Sequence, residues 1–352
     1  MYNFKKAIKA TLAFVLCFII SSTIIIFPCM QNGSDYNDSA ARQELRGNID
    51  YIFNGASHAY GAFYPAIIDE ELGVCSWNLS SSSASLQGRK TILEKELQRN
   101  LVDTVVIDVS FDTLSRCQSE EHATGEPMII CKLDNNVERM RYFFENVSFW
   151  NSDYENVLSV FMRYGLKAWK SKMLGEFGQV QSNKGFMPAE SIDLKLSEAE
   201  IVSQYNSAKR VLPFREENVE ILKSTITMCQ QYGARVIIAV VPISDVSIWK
   251  KENLDDFWRD LSTICEESDC LLYDFNLIKT RYETYSDVYS FADETHMSED
   301  GAITFSKNFA DIIQRLNAGE DVRHLFYASY DEMKQNSPYM EDYLQLVGGT
   351  DK

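Results

Sequence analysis

The chain is poor in histidine and in positive charge. Histidine supplies only 4 of the 352 residues, and 34 lysines and arginines face 51 aspartates and glutamates, for a formal net charge of −17. Nucleic-acid binding depends on clusters of lysine and arginine that contact phosphate, so this composition argues against a nucleic-acid partner. The 8 cysteines include no C-x-x-C pair. The spacing typical of a zinc site is therefore missing, and the sequence indicates neither a metal nor another cofactor.

The cysteines allow two interpretations. Those that follow residue 30 are even in number, which permits disulfide bonds. Cys117 and Cys131 flank a polar loop, while Cys265 and Cys270 flank a turn, so each pair is a plausible disulfide. Buried free thiols are the alternative, and the sequence leaves both open.

The N-terminus carries a long apolar run. Lys5, Lys6 and Lys9 precede apolar residues from Ala10 to about Met30. A helix of roughly 20 apolar residues crosses the hydrocarbon core of a bilayer, and flanking lysines stay on the cytoplasmic side. Residues 10–30 therefore predict a single-pass plasma-membrane anchor with a cytoplasmic N-terminus and an extracytoplasmic remainder. A cleaved signal peptide is the alternative, but Phe27 to Met30 lack the small residues of a cleavage site.

Strand and helix signals alternate after a polar linker at residues 31–47. Strands are predicted at residues 50–54, 74–79, 103–109, 235–241 and 270–275. Amphipathic helices are predicted at residues 64–72, 86–98, 215–232 and 254–265. A last helix follows Ser298, its predicted N-cap. This alternation predicts an α/β domain at residues 48–316 with a parallel sheet, followed by a helical tail at residues 317–352.

Residues 111–215 interrupt this alternation. They are rich in aromatic residues and irregular in pattern, with helix-like pieces around residues 137–144 and 154–170. We interpret this stretch as a helical insertion that caps one end of the sheet.

Two short motifs contain the residue types of a nucleophilic hydrolase. Gly55-Ala56-Ser57-His58 follows the first predicted strand, and Asp293-Glu294-Thr295-His296 lies near the end of the domain. Both are expected to follow strands, at the carboxyl edge of the sheet where ligands bind. A serine hydroxyl becomes nucleophilic when a histidine takes its proton and a carboxylate orients that histidine. The motifs predict Ser57 as nucleophile, His296 as base and Asp293 as its partner.

Ester chemistry at Ser57 also needs hydrogen-bond donors for the tetrahedral oxyanion. The backbone N–H of Ser57 and the side-chain amide of Asn78, which follows the second strand, are the predicted donors. His58 is predicted to contact the substrate, and a hydrogen bond to the backbone of the turn is the alternative.

The Gly-Ala-Ser-His block and the Asp293-x-x-His296 pair resemble the SGNH (GDSL-like) hydrolase superfamily, most closely its membrane-anchored branch in bacterial envelopes. The resemblance covers roughly residues 48–316, and the Lys184-to-Pro188 block is similar to uncharacterised members of that branch. It implies a three-layer α/β/α, flavodoxin-like fold and a Ser-His-Asp triad that works without a metal.

The chain departs from the superfamily pattern at three places. Ala56 stands where an aspartate is usual, and the serines at 80–83 stand where the second block has glycine. Ser110-Phe111-Asp112 replaces the third block, Gly-x-Asn-Asp. These departures fall on the expected oxyanion hole more than on the triad.

The resemblance implies an extracytoplasmic esterase or O-acyltransferase that acts on acyl esters of a cell-envelope polysaccharide or teichoic acid. A membrane-bound acyltransferase is a candidate partner. One alternative is a non-catalytic glycan-binding or assembly protein that retains the fold. Another is a structural partner of a membrane acyltransferase, held through the anchor helix.

Overall fold

The structure is a computed structural model that describes residues 2–26, 33–116, 118–146, 170, 174, 182–191, 209–249, 251–285 and 289–338. The chain divides into two compact units. The first comprises residues 1–41 and 122–182, and the second comprises residues 42–121 and 183–352. Apart from Lys170, the helix predicted at residues 154–170 lies outside the described residues, as does Cys117.

The strands of the second unit form two parallel sheets. They are β1 (Tyr51–Asn54), β2 (Ser76–Asn78), β3 (Thr104–Asp108), β4 (Lys209–Arg210), β5 (Arg235–Val240), β6 (Lys251–Glu252) and β7 (Leu271–Asp274). The main sheet has the order β2-β1-β3-β5-β7, and β4 pairs with β6 in the small one. All four pairings in the main sheet are parallel. The predicted α/β fold with a parallel sheet is therefore confirmed, while the β4–β6 pair was not predicted.

The helices surround this sheet or belong to the first unit. They are α1 (Tyr2–Ile26), α2 (Gly33–Glu44), α3 (Ser57–Tyr60), α4 (Pro65–Leu72), α5 (Leu86–Leu97), α6 (Gln118–Lys132), α7 (Asn136–Asn146), α8 (Glu216–Gln231), α9 (Asp245–Trp249), α10 (Leu254–Glu267), α11 (Arg281–Thr284), α12 (Glu299–Asn317) and α13 (Tyr330–Gln335). Short 3-10 turns cover Phe275–Leu277 and Val322–Leu325.

One face of the main sheet carries an aromatic core. Phe53 of β1 stacks on Phe63 with ring centroids 4.4 Å apart, and both rings meet Phe309 of α12 edge-on. Phe305 and Phe309 lie four residues apart, so one face of α12 turns both rings toward the sheet. Burying such rings contributes roughly 25 cal/mol for each square ångström of apolar surface removed from water. This core fixes α12 against β1, which matters because the two catalytic motifs flank these elements.

The opposite side chains of the same strands are buried as well. Ile52, Val105, Ile107 and Ile238 are each at most 2% exposed. Alternate residues of a strand point to opposite faces, so both faces of the sheet are covered. Helix α5 packs against α8, and α8 also contacts β5. This double burial explains why the strands are continuous apolar runs in the sequence.

Helices occupy parts of the predicted linker and of the predicted insertion, and α7 covers the helix-like piece predicted at residues 137–144. The linker predicted at residues 31–47 contains α2, and the first part of the insertion contains α6 and α7. In the first unit, α6 and α7 are joined by a hydrogen bond of 2.5 Å from the Tyr142 hydroxyl to Glu126. Twelve residues of the predicted linker are helical, and its role as a linker stays a prediction.

The predicted membrane anchor, residues 10–30, overlaps α1 at residues 10–26. Several large apolar side chains of this helix are exposed, among them Leu12 and Phe14. Within the part of the chain that the structure describes, no helix meets the combined length and apolarity needed to cross a bilayer. The anchor stays a prediction.

Candidate active site

The first motif forms a tight turn at the carboxyl end of β1. Asn54 ends the strand, Ala56 is the N-cap, and Ser57 is the first residue of the one-turn helix α3. Position 55 has room only for glycine, because a Cβ atom there would lie 2.4 Å from the Ala59 Cβ and 2.8 Å from the Asp108 Cβ. The turn therefore lifts Ser57 above the sheet edge, with its N–H in the first helical turn, where no intrahelical acceptor exists.

The structure brings together all three predicted triad residues. The Ser57 Oγ atom lies 2.8 Å from His296 Nε2, although the two residues are 239 positions apart. His296 Nδ1 lies 2.7 Å from Asp293 Oδ2. Asp293 Oδ1 accepts hydrogen bonds of 2.8 Å from the N–H groups of Thr295 and His296. This turn holds the Asp293 carboxylate against the His296 imidazole.

The electrostatics of the loop match the geometry. Burial acts to raise the pKa of Asp293, but hydrogen bonds from Thr295 and His296 outweigh it and lower that pKa below its usual value. Asp293 is therefore a carboxylate at neutral pH and accepts the Nδ1 proton of His296. The other ring nitrogen, Nε2, is then free to accept the Ser57 hydroxyl proton.

The base loop does not follow a strand, contrary to the prediction. Phe291 and Met297 form an isolated antiparallel bridge, and the Ala292 N–H donates to the His296 carbonyl at 2.9 Å. Helix α11, rather than a strand, is the described element that precedes this loop. The loop instead reaches the sheet edge because α12, which it leads into, packs on the aromatic core.

His58 contacts the triad base. Its ring stacks on that of His296, with centroids 4.8 Å apart and planes within 9° of parallel. Burial, helped by the nearby charge of His296, lowers the pKa of His58 to about 3, so the ring is neutral. Its Nδ1 atom is buried and has no hydrogen-bond partner among the described residues. The predicted contact with substrate stays a prediction.

The predicted role of Asn78 in the oxyanion hole is wrong. Its side-chain NH₂ donates to the carbonyls of Ala59 and Phe63, both at 2.9 Å, and its Oδ1 accepts from the Ser80 N–H at 3.1 Å. An amide nitrogen has two donors, and both are used here. Asn78 is fully buried and holds the carbonyl side of α3 in place, so it cannot face the oxyanion.

The serine cluster at residues 80–83 lies beside the nucleophile turn. The Ser81 N–H donates to the Gly55 carbonyl at 3.1 Å, which extends the contact between β2 and β1 past the strand ends. The Ser57 N–H is thus the predicted oxyanion donor that remains available.

Sequence reasoning missed Asp108, which ends β3 directly beneath the turn. It is fully buried, and its Oδ2 has no hydrogen-bond partner in the described part of the chain. Burial raises the pKa of Asp108 to about 7, although Arg89 acts in the opposite direction. The one signal in the sequence is an aspartate at the end of a β-branched run.

An open cavity of about 590 Å³ lies next to the base loop. Its walls are residues 188–191 and residues 298–300 at the start of α12, two to four positions after His296. Within the described ranges, no group of three or more histidine, cysteine or acidic side chains is arranged to hold a metal ion. Cys265 and Cys270 are free thiols that share a hydrogen bond.

Comparison with known proteins gives distant similarities. No protein-family model matches the chain, and no curated protein matches it. The chain is similar to a putative lipolytic protein of the G-D-S-L family from Desulfitobacterium hafniense, with 11% identity, a TM-score of 0.35 and coverage of 76% of this chain and 99% of that one. It is also similar to a lipase/acylhydrolase from Enterococcus faecalis, with 12% identity, a TM-score of 0.36 and coverage of 76% and 95%. Neither similarity is close enough to assign the chain to a family.

Proposed function

We propose that this chain is a serine ester hydrolase or O-acyltransferase of the SGNH type. The observation that carries the proposal is the hydrogen-bonded series Ser57–His296–Asp293, with contacts of 2.8 Å and 2.7 Å. Nucleophile, base and orienting carboxylate are each within bonding distance, which is the arrangement that activates a hydroxyl.

The proposed reaction proceeds through an acyl-enzyme. Ser57 Oγ attacks the acyl carbon while its proton passes to His296 Nε2, and the carbonyl electron pair moves to the oxygen. The Ser57 N–H donates to this oxyanion. The tetrahedral species collapses, the alcohol leaves with the proton from His296, and the acyl group stays on Ser57. Water then releases a carboxylic acid, or an acceptor hydroxyl takes the acyl group. Asp293 stabilises the imidazolium in both halves.

The proposed substrate is an acyl ester on a cell-envelope polysaccharide or teichoic acid. The lysine-flanked apolar segment at residues 10–30 supports this location, together with the exposed apolar side chains of α1. Exposed apolar surface of this kind fits contact with lipid. A membrane-bound acyltransferase is a candidate partner. If the full-length chain is recovered in the soluble fraction of cells, the anchor is ruled out.

Labelling with a serine-directed fluorophosphonate tests the nucleophile. The purified full-length chain should be labelled, and Ser57→Ala should lose the label because Ser57 is the serine whose Oγ lies 2.8 Å from His296 Nε2. Ser262→Ala, on α10 away from the turn, is the control and should label like the parent. Equal labelling of Ser57→Ala and the parent would refute the proposal.

A non-catalytic glycan-binding protein is the second candidate. The observation in its favour is that Asn78 is consumed by structural hydrogen bonds, which removes a predicted oxyanion donor. Loss of one such donor costs about 100- to 1,000-fold in rate. This candidate predicts polysaccharide binding that His296→Ala leaves unchanged, together with no labelling of the parent.

A further inference from the structure

A short segment crosses the nucleophile turn and reaches the base loop. It comprises residues 183–189 and is called the strap below. The Lys184 carbonyl accepts from the Asn78 N–H at 2.9 Å, and the Met187 N–H donates to the Tyr60 carbonyl at 3.1 Å. The Ala189 carbonyl accepts from the Glu299 N–H at 2.8 Å. The strap therefore bonds to the end of β2, to α3 and to the start of α12.

The strap bonds to one residue close in sequence to Ser57 and to another close in sequence to His296. Tyr60 lies three residues after Ser57, and Glu299 lies three residues after His296. The strap consequently spans the two halves of the site, which are far apart in the sequence. Its backbone hydrogen bonds act on the helix that carries the nucleophile and on the helix that continues from the base.

The side chains of Lys184 and Phe186 anchor the strap to Asp69 of α4 and to Tyr64. Lys184 Nζ lies 2.5 Å from an Asp69 carboxylate oxygen on α4. The buried ring of Phe186 stacks on Tyr64, with centroids 4.1 Å apart and planes 14° apart. Lys184 is partly shielded from solvent, so its ion pair is screened less than a surface pair.

Gly185 permits the strap to lie this close. Its φ of +82° is a conformation that side chains disfavour, and a Cβ atom there would lie 1.9 Å from the Asn78 carbonyl oxygen. Asn78 cannot move away easily, because β2 pairs with β1 and its side chain is bonded to Ala59 and Phe63. Any side chain at position 185 must therefore push the strap off the turn.

We propose that the strap is a positioning element that sets Ser57 against His296, and that Gly185 is the residue that allows it. This inference rests on the proposed role of Ser57 as nucleophile. The one-turn helix α3 is too short to hold itself, since isolated helices of this length are unstable. The position of α3 depends on the hydrogen bonds from the Asn78 side chain to the Ala59 and Phe63 carbonyls and on the hydrogen bond from the strap to Tyr60. The strap also bonds to the start of α12.

Gly185→Ala tests the strap, and Gly319→Ala is its matched control. Both glycines have a φ of +82°, but a Cβ atom at Gly319 meets nothing within 4 Å. The two variants therefore share the backbone strain and differ in the clash. A displacement of about 1 Å at a reacting group costs about 100-fold, so the fluorophosphonate labelling rate of Gly185→Ala should fall by at least roughly tenfold. Gly319→Ala should stay within about twofold of the parent.

The measurement is made on full-length protein whose fold is verified by circular dichroism, and across pH. A displaced Ser57–His296 pair should shift the pH midpoint of labelling, whereas a loss of folded protein would lower labelling equally at every pH. If Gly185→Ala does not fold, Lys184→Met and Lys184→Arg decide instead. Removal of the charge should slow labelling, and arginine should restore it through Asp69.

The outcomes separate this inference from the proposed function. If folded Gly185→Ala labels at the rate of Gly319→Ala, or Lys184→Met at the rate of Lys184→Arg, the strap does not position the triad. Loss of label in Ser57→Ala would still stand in that case. If Ser57→Ala labels like the parent, the nucleophile itself is wrong.

Discussion

At the scale of single residues, the His58–His296 stack is the contact that the triad pattern alone does not require. The neutral His58 ring lies against the ring of His296, with centroids 4.8 Å apart. Stacked rings contribute roughly 0.5–1.5 kcal/mol beyond their burial. The stack therefore restrains the His296 ring in the plane that serves both Ser57 and Asp293.

Substitution of His58 separates stacking from substrate contact. His58→Phe keeps a flat ring, so fluorophosphonate labelling should stay within about threefold of the parent. His58→Ala loses the stack and should slow labelling by roughly tenfold, because the base is less well positioned. If both variants label like the parent, the stack has no positioning role. A rise in KM for an ester substrate in both variants, which lack the imidazole, would support the predicted substrate contact.

At the scale of elements, the start of α12 fixes the base loop. The Ser298 Oγ accepts from the Gly301 N–H at 3.1 Å and donates to the Tyr289 carbonyl at 2.5 Å. The Ser298 N–H also donates to the Ser290 carbonyl at 3.0 Å. The N-cap residue thus closes the loop that presents Asp293 and His296, in addition to capping the helix. The sequence predicted this cap, and the structure confirms it.

Two N-cap substitutions distinguish these roles. Ser85 caps α5 through the Gly88 N–H at 3.0 Å and is part of neither catalytic motif. Ser85→Ala and Ser298→Ala should each lower the free energy of unfolding by about 1 kcal/mol. Only Ser298→Ala should also slow labelling, because it frees the base loop. Urea unfolding and labelling rates measure the two effects, and equal labelling by both variants would contradict the linkage.

At the scale of the whole molecule, buried carboxyl groups lie at the carboxyl edge of the sheet. Burial raises the pKa of Asp108 to about 7, and it raises the pKa of Asp274 to about 6 despite a hydrogen bond from Tyr330. Asp108 ends the central strand β3, Asp274 ends the edge strand β7, and both residues are at most 1% exposed. Burial therefore disfavours the ionised form of both carboxyl groups, and the free energy of unfolding depends on pH.

Asp108→Asn should reduce this dependence. Well below the ordinary pKa of 3.8, the Asp108 carboxyl group is protonated in both the folded and the unfolded chain, so its ionisation has no effect on stability. As pH rises toward 7, the unfolded chain ionises first, and the folded state loses up to about 4 kcal/mol. Asp108→Asn removes this loss, so its gain in melting temperature over the parent should be larger at pH 8 than at pH 4. Asp103→Asn, exposed just before the same strand, should show no such difference.

The main sheet and the triad were predictable from local patterns. Apolar runs of strand length separated by amphipathic helices indicate a parallel sheet, and all five predicted strands contain the observed ones. Ser57 after the first strand and the Asp293-x-x-His296 spacing identified three residues that lie within 2.8 Å of one another in series. The strands and the spacing within each motif depend on residues close in sequence, whereas the contact between Ser57 and His296 joins residues 239 positions apart.

The tertiary structure decided which polar groups are free to act. Asn78 ends β2, at the sheet edge where an oxyanion donor would lie. Its side-chain amide instead donates to the carbonyls of Ala59 and Phe63, a pairing set by how α3 packs. Gly185 is remote in sequence from both motifs, and only the folded chain reveals its contact with Asn78. The sequence alone determined the residue types, the strands and the spacing within each motif. Which hydrogen bonds form between distant segments depends on packing, and a linear pattern does not contain that information.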